Sequence, residues 1–132
     1  MVNNILLFGY GNHGKSIVLG LMNTGFSVTV VENNELCYQE AIQDGLPCML
    51  IDVTKDEALY SLEAHKYEKL VCVMDDEHLN VFLTLSLRSL FKKAYILSIS
   101  DSIHTTKKLQ MAGANKVIDL YEVSANKIHN IL

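Results

Sequence analysis

The sequence predicts an α/β domain built on a doubly wound, six-stranded parallel sheet, strand order 3-2-1-4-5-6, with helices on both faces. Short β-like runs alternate with helical stretches along all 132 residues, as parallel strands joined by crossover helices require. Most of these runs are continuously apolar instead of alternating, which suits strands covered on both faces. The first run opens into a glycine-rich turn and a helix, and an acid closes the second.

In chain order, the first strand is Ile5 to Phe8, and Gly9-Tyr10-Gly11-Asn12-His13-Gly14 follows it directly. A G-x-G-x-x-G string is weak alone; a strand before it, a helix after it and an acid about 20 residues on make it a dinucleotide fingerprint. Gly9 permits a sharp turn out of the strand, Gly11 lets backbone N–H groups approach a phosphate, and Gly14 lets the helix lie close to the sheet. The helix start supplies unpaired donors and partial positive charge, so the loop is an anion seat. His13 lies where its ring can stack on or bond a nucleotide. Lys15-Ser16 raises a Walker-type loop as an alternative, which the glycine spacing is expected to exclude.

The second strand, Ser27 to Glu32, ends in the acid that the fingerprint needs. Glu32 is expected to accept hydrogen bonds from the adenosine ribose hydroxyls, with Asn33 beside it. A 2′-phosphate there would meet a like charge, and at about 4 Å and an effective dielectric of ~20 the repulsion is roughly 4 kcal/mol. NAD(H) or an adenine mononucleotide (ATP, ADP or AMP) is therefore expected, and NADP is not. The third strand is Cys48 to Ile51, and Thr54-Lys55-Asp56-Glu57 has the form of a capping box that starts a helix just after it. That places Asp52 and Val53 at a carboxyl strand end, on the adenine side of the crevice.

The fourth strand, Leu70 to Met74, runs into Asp75-Asp76-Glu77-His78, acids that serve as helix caps and dipole partners or, alternatively, face the phosphates or a divalent cation. Met74 and Asp75 complete the expected binding set; a divalent cation finds no further support. The helix from Glu77 to Phe91 carries a core-facing stripe of Leu79, Phe82, Leu83, Leu87, Leu90 and Phe91. Val81 and Leu85 add a second apolar strip, which suits a wide core contact or a subunit interface. The last strands are Tyr95 to Ile99 and Lys116 to Ile118, and a final helix carries Val123, Ile128, Ile131 and Leu132. Gly25, Gly45 with Pro47, and Gly113 mark helix ends.

Composition narrows the function classes. The chain has room for one core but not for a dinucleotide domain plus a substrate domain. A formal net charge of -4 argues against nucleic acid as a partner. No apolar run approaches membrane-spanning length and no signal-type leader opens the chain, so a soluble, cytoplasmic domain is expected. Cys37, Cys48 and Cys72 are widely spaced and read as reduced thiols, neither bridged nor metal-bound. No catalytic residue is expected: His78 lacks an accompanying nucleophile or second acid at a useful spacing.

These segments resemble the N-terminal lobe of RCK domains (regulators of potassium conductance, also called TrkA-N domains) of bacterial potassium channels. The likeness covers nearly the whole chain. It rests on Ile5 to Gly14, Val30-Val31-Glu32, Asp52-Val53-Thr54, Asp76-Glu77 followed by Asn80, and the run Leu109-Gln110-Met111-Ala112-Gly113-Ala114-Asn115-Lys116-Val117-Ile118. Asn12 departs from the arginine that many members carry there, Asp101 stands alone where some channels hold calcium, and Asp119-Leu120 replaces a usual Ser-Pro.

The resemblance implies a Rossmann-like lobe over residues 1–120 and the start of a crossover helix over 121–132, leading to a second lobe. It implies a non-catalytic ligand sensor at the cytoplasmic face of the membrane, attached to a potassium channel or transporter pore and not itself inserted. It further implies homodimers through the helix 77–91, His104 to Ala112 and the C-terminal helix, extending to rings. A subunit of a potassium uptake transporter or potassium/proton antiporter, or the NAD-binding half of an oxidoreductase, are the alternatives.

Overall fold

The computed structural model describes residues 3–132, whose six parallel strands are β1 (Asn4–Phe8), β2 (Ser27–Glu32), β3 (Cys48–Leu50), β4 (Lys69–Cys72), β5 (Ile96–Ser100) and β6 (Lys116–Asp119). They are ordered β3-β2-β1-β4-β5-β6, as the sequence predicts. β1 is central, pairing Leu7 with Val30 of β2 and with Val71 of β4. The six α-helices are α1 (Asn12–Leu21), α2 (Glu35–Gln43), α3 (Asp56–Tyr60), α4 (Glu77–Leu90), α5 (Ile103–Ala112) and α6 (Leu120–Ile131).

The continuous apolar runs follow from two cores. Successive side chains of a strand point to opposite faces. Leu6, Phe8, Val31, Leu70, Cys72 and Ile96 pack with Leu59 of α3 and with Leu83 and Leu87 of α4. Their neighbours Ile5, Leu7, Val30 and Val71 face the other way, onto Val18 of α1 and Ala41 of α2. Both registers are buried, so both are largely apolar, and a polar residue such as Ser98 of β5 is admitted with a hydrogen-bond partner, the Thr84 hydroxyl.

Several local expectations are corrected. The expected capping box does not form: the N-cap position of α3 falls on Lys55, which makes no side-chain cap, and the Thr54 N–H and hydroxyl both donate to Asp52 Oδ1, at 2.9 and 2.6 Å. That turn competes with the cap because one short side chain satisfies both Thr54 donors. Phe82 does not join the α4 core stripe; it is 47% exposed and lies with the 53%-exposed Leu85, whereas Leu83 and Leu87 are fully buried. Tyr95 precedes β5 instead of starting it, with Lys69 Nζ lying 4.8 Å from its ring centroid.

Arg88 ties the second half together. Its guanidinium donates to the Gly113 carbonyl at 2.9 Å, to the Lys92 carbonyl at 2.9 Å and to Asn115 Oδ1. Asn115 Oδ1 also accepts from the Ile96 N–H at 2.8 Å, so the end of α5, the end of α4 and the start of β5 share one hub. Gly113 adopts φ +110°, and a Cβ there would lie 2.5 Å from Arg88 Cγ.

Candidate functional site

The site forms at the carboxyl ends of β1, β2 and β4, where the sheet changes winding direction. Gly9 leaves β1 at φ +115°, a conformation that suits glycine, and its N–H donates to the Val31 carbonyl at 2.9 Å. A Cβ on Gly14 would sit 1.8 Å from the Gly9 carbonyl oxygen, so the first turn of α1 closes directly onto the loop. Gly11 is the N-cap of α1 in extended conformation, without a side-chain cap.

The uncapped end is filled by an acid that follows β4. Asp75 Oδ2 accepts from the Asn12 N–H at 2.9 Å, and Oδ1 accepts from the His13 N–H at 3.3 Å. A Cβ on Gly11 would fall 2.1 Å from Asp75 Oδ2, so this glycine admits the carboxylate. The cap of α4 is its neighbour Asp76, which accepts from the Leu79 N–H at 3.0 Å. Sequence treats these two acids alike; the fold gives each a different helix.

Glu32 is 3% exposed and turned back onto the loop. Its Oε2 accepts from the Tyr10 N–H at 2.6 Å, and its Oε1 accepts from the Asn33 and Asn34 N–H groups at 2.8 and 2.9 Å. A carboxylate has roughly four lone-pair sites, so about one remains for a ribose hydroxyl. Asn34 caps α2 through the Cys37 N–H at 3.0 Å.

Three expected contact residues, Tyr10, Val53 and His13, need correction as side chains. Tyr10 is 1% exposed; its ring lies in the α1–α2 core and its hydroxyl donates to Asp44 Oδ2 at 2.6 Å, leaving only its backbone on the loop. Burial and the adjacent Asp44 carboxylate push the phenol pKa well above its ordinary value. Val53 is fully buried among Leu59, Leu62 and Leu83, because the turn at Asp52 directs it inward. Asp52 itself is exposed, and its pKa lies below the usual carboxylate range because of the two Thr54 hydrogen bonds. It shares a crevice of about 470 Å³ with Asn33, Leu50 and Ile51. A second crevice of about 190 Å³ lies between Gly11, Glu32, Asn34, Met74 and Asp75. His13 points away from both, toward Asp101 Oδ2 at 3.7 Å.

The glycine spacing is no argument against a Walker-type loop, because four residues separate Gly9 from Gly14-Lys15-Ser16, as that pattern requires. Side-chain placement speaks against it instead. Lys15 pairs with Glu40 and lies 3.7 Å from Asp44 Oδ2, both in the α2 segment, and Ser16 donates to the Asn12 carbonyl of its own helix.

Asn80 stands out in the sequence only as part of a motif, and the structure makes it the stitch across the next crevice. It is 1% exposed; its Oδ1 accepts from the Met74 N–H at 3.0 Å, and its Nδ2 donates to the Cys72 and Ile99 carbonyls, each at 3.2 Å. An isolated amide on a buried helix face is the signal that points to it. Beside it, Thr84 Oγ1 bonds Ser98 Oγ at 2.8 Å and donates to the Asn80 carbonyl at 2.9 Å. Among the described residues, no group of three or more His, Cys, Asp or Glu side chains is arranged to hold a metal ion.

The chain is similar to potassium channel protein 1 of Methanocaldococcus jannaschii, with 29% identity over 131 residues covering 98% of this chain and 39% of that protein. It therefore spans about two-fifths of that relative's length. Its fold is that of the TrkA-N domain of the inner membrane protein ybaL from Escherichia coli, at a TM-score of 0.83 and 18% identity, covering 100% of this chain and 98% of the other. The GsuK channel bound to NAD superimposes with a TM-score of 0.79 at 21% identity over 93% of this chain and 22% of that one. GsuK bound to ADP gives 0.79 at 21% over 98% and 33%. The TrkA-N domain profile matches residues 5–120, from the first core residue of β1 to the start of α6, and so includes the glycine loop, Glu32 and Asp75. On that match over most of its length, the chain belongs to the TrkA-N domain family.

Proposed function

We propose that this chain is a ligand-sensing regulatory domain that binds an adenine nucleotide, NAD(H) or one of ATP, ADP and AMP, and passes the binding energy to the gate of a potassium channel. What carries this is the junction of β1 and α1, where the Asn12 and His13 N–H groups converge on one anion at the winding switch of the sheet. The relative named as a potassium channel and the GsuK structures solved with NAD and with ADP support the ligand class and the partner.

In this reading Gly11, Asn12 and His13 offer backbone donors to the phosphates. Glu32 and Asn33 face the ribose, Asp52 the adenine side, and Met74 walls the crevice. Glu32 discriminates against a 2′-phosphate by like charge. The domain acts by differential affinity: a ligand that prefers one of two conformations shifts their populations, without chemistry. The output surface would be α4 and α6, where Phe82, Leu85, Tyr121 and Ile128 are exposed, pairing with a second copy beneath the pore on the cytoplasmic side of the membrane. Residues 121–132 would then begin the crossover to a second lobe. No helix among the described residues is long and apolar enough to cross a membrane, which fits a pore supplied elsewhere.

Thermal unfolding with NAD, NADH, ATP, ADP, AMP and NADP tests the reading. A ligand at 100 times its dissociation constant stabilises the fold by about 2.7 kcal/mol, a midpoint shift of several degrees. At least one of the first five should produce it, and NADP should lag behind NAD. Indifference to every adenine compound at millimolar concentration would sink the reading.

A further inference from the structure

We infer that Asp75 is a built-in competitor for the phosphate seat: its carboxylate holds the α1 N-terminus, and a phosphate-bearing ligand binds by expelling it. Both Asp75 oxygens are engaged with the two amides that open α1, Asn12 and His13. The carboxylate fills the space that the missing Cβ of Gly11 leaves. A phosphate needs those same donors, and two anions cannot share them at hydrogen-bond distance. The adjoining crevice, about 190 Å³, is below the roughly 300–1,000 Å³ of typical small-molecule sites, and Asp75 forms one of its walls. Swinging that wall out frees the donors and enlarges the crevice in one movement.

The displacement has a defined mechanical output. Asp75 is followed directly by Asp76, whose carboxylate caps α4 at the Leu79 N–H. Asn80, one helical turn in, binds the Met74 N–H and the ends of β4 and β5. Moving Asp75 therefore pulls on the first turn of α4 between two fixed points. The consequences are an affinity below what the loop would otherwise give, and a signal that starts at the phosphates and arrives at the helix bearing Phe82 and Leu85.

The competitor role rests on nucleotide binding, so the experiment must separate the two. ADP and NAD are titrated calorimetrically into the full chain as wild type, Asp75→Asn and Asp75→Ala, with and without magnesium. The isosteric Asn variant guards against a folding defect in the Ala variant. Both variants should bind at least about tenfold tighter than wild type, equivalent to about 1.4 kcal/mol. In the wild type, the Asn12 and His13 amide resonances and the Asp75 carboxyl carbon should shift together on addition of ADP. Binding by the variants but not by wild type supports the competitor outright. Equal or weaker binding by the variants, or binding that needs magnesium only when Asp75 is present, overturns it while leaving nucleotide binding intact. If none of the three proteins binds, the nucleotide reading falls and the competitor falls with it.

Discussion

The Tyr10 amide donates to Glu32 Oε2 at 2.6 Å, so the acid that ends β2 braces the loop that leaves β1. Glu32 is thus a structural residue before it is a binding residue. Its three backbone hydrogen bonds lie in a site that is 3% exposed, where bonds to a charged acceptor each contribute about 1.5–3 kcal/mol. Glu32→Gln leaves one oxygen acceptor in place of two and should lower unfolding stability by about 2 kcal/mol, read from the urea midpoint. A ribose-only role would leave the apo midpoint unchanged.

Two glycines of α1 should respond oppositely to the same change. Gly14→Ala brings a Cβ to within 1.8 Å of the Gly9 carbonyl oxygen, a backbone atom that cannot turn aside, and should cost about 1–3 kcal/mol or more. A Cβ on Gly20 would meet nothing within 4 Å, and this residue lies on the exposed face of the helix, so Gly20→Ala should raise stability by up to about 1 kcal/mol. Paired thermal melts read the contrast, and equal effects would contradict the close helix–loop approach.

Arg88→Ala should destabilise the second half of the domain by about 2 kcal/mol or more. The substitution strips partners from the Gly113 and Lys92 carbonyls and from Asn115 Oδ1. Arg88→Lys should recover little, since a single ammonium cannot reproduce the planar fork. Hydrogen exchange should show the loss at the end of α5 and the start of β5 ahead of β1 and β2. Uniform loss across the sheet would contradict the local hub.

Stability should fall on the alkaline side. Burial pushes the Cys72 thiol from 9.0 up to about 12, and burial with the Asp44 contact raises the Tyr10 phenol. Both groups stay protonated in the folded state after they ionise in the unfolded chain, so the unfolded state binds fewer protons and is favoured as pH rises. Their contribution is complete below about pH 9 and is lost between 9 and 12 for Cys72. The denaturation midpoint should decline over that window, and Cys72→Ala should flatten the decline. A thiol reagent should leave Cys72 untouched in the native state, while the half-buried Cys37 and Cys48 react slowly, because burial raises both thiols, Cys48 to about 11; ready modification of Cys72 in the native state would contradict its burial.

The sequence by itself determined the strand count and order, the two-sided burial of the sheet and the place of the glycine loop. These depend on information local in the chain: apolar runs such as Leu6-Leu7-Phe8 too continuous for a one-sided strand, and glycines where a Cβ would strike backbone. Only the tertiary structure decided what the polar groups do. Asp75 reaches Asn12 across 63 residues, Glu32 reaches Tyr10 across 22, and Asn80 spans two strand ends. Neighbouring acids such as Asp75 and Asp76 have the same chemistry in one dimension. Which helix start each one satisfies is fixed by the direction of a single side chain at the end of β4, and that is set by packing between elements far apart in the chain.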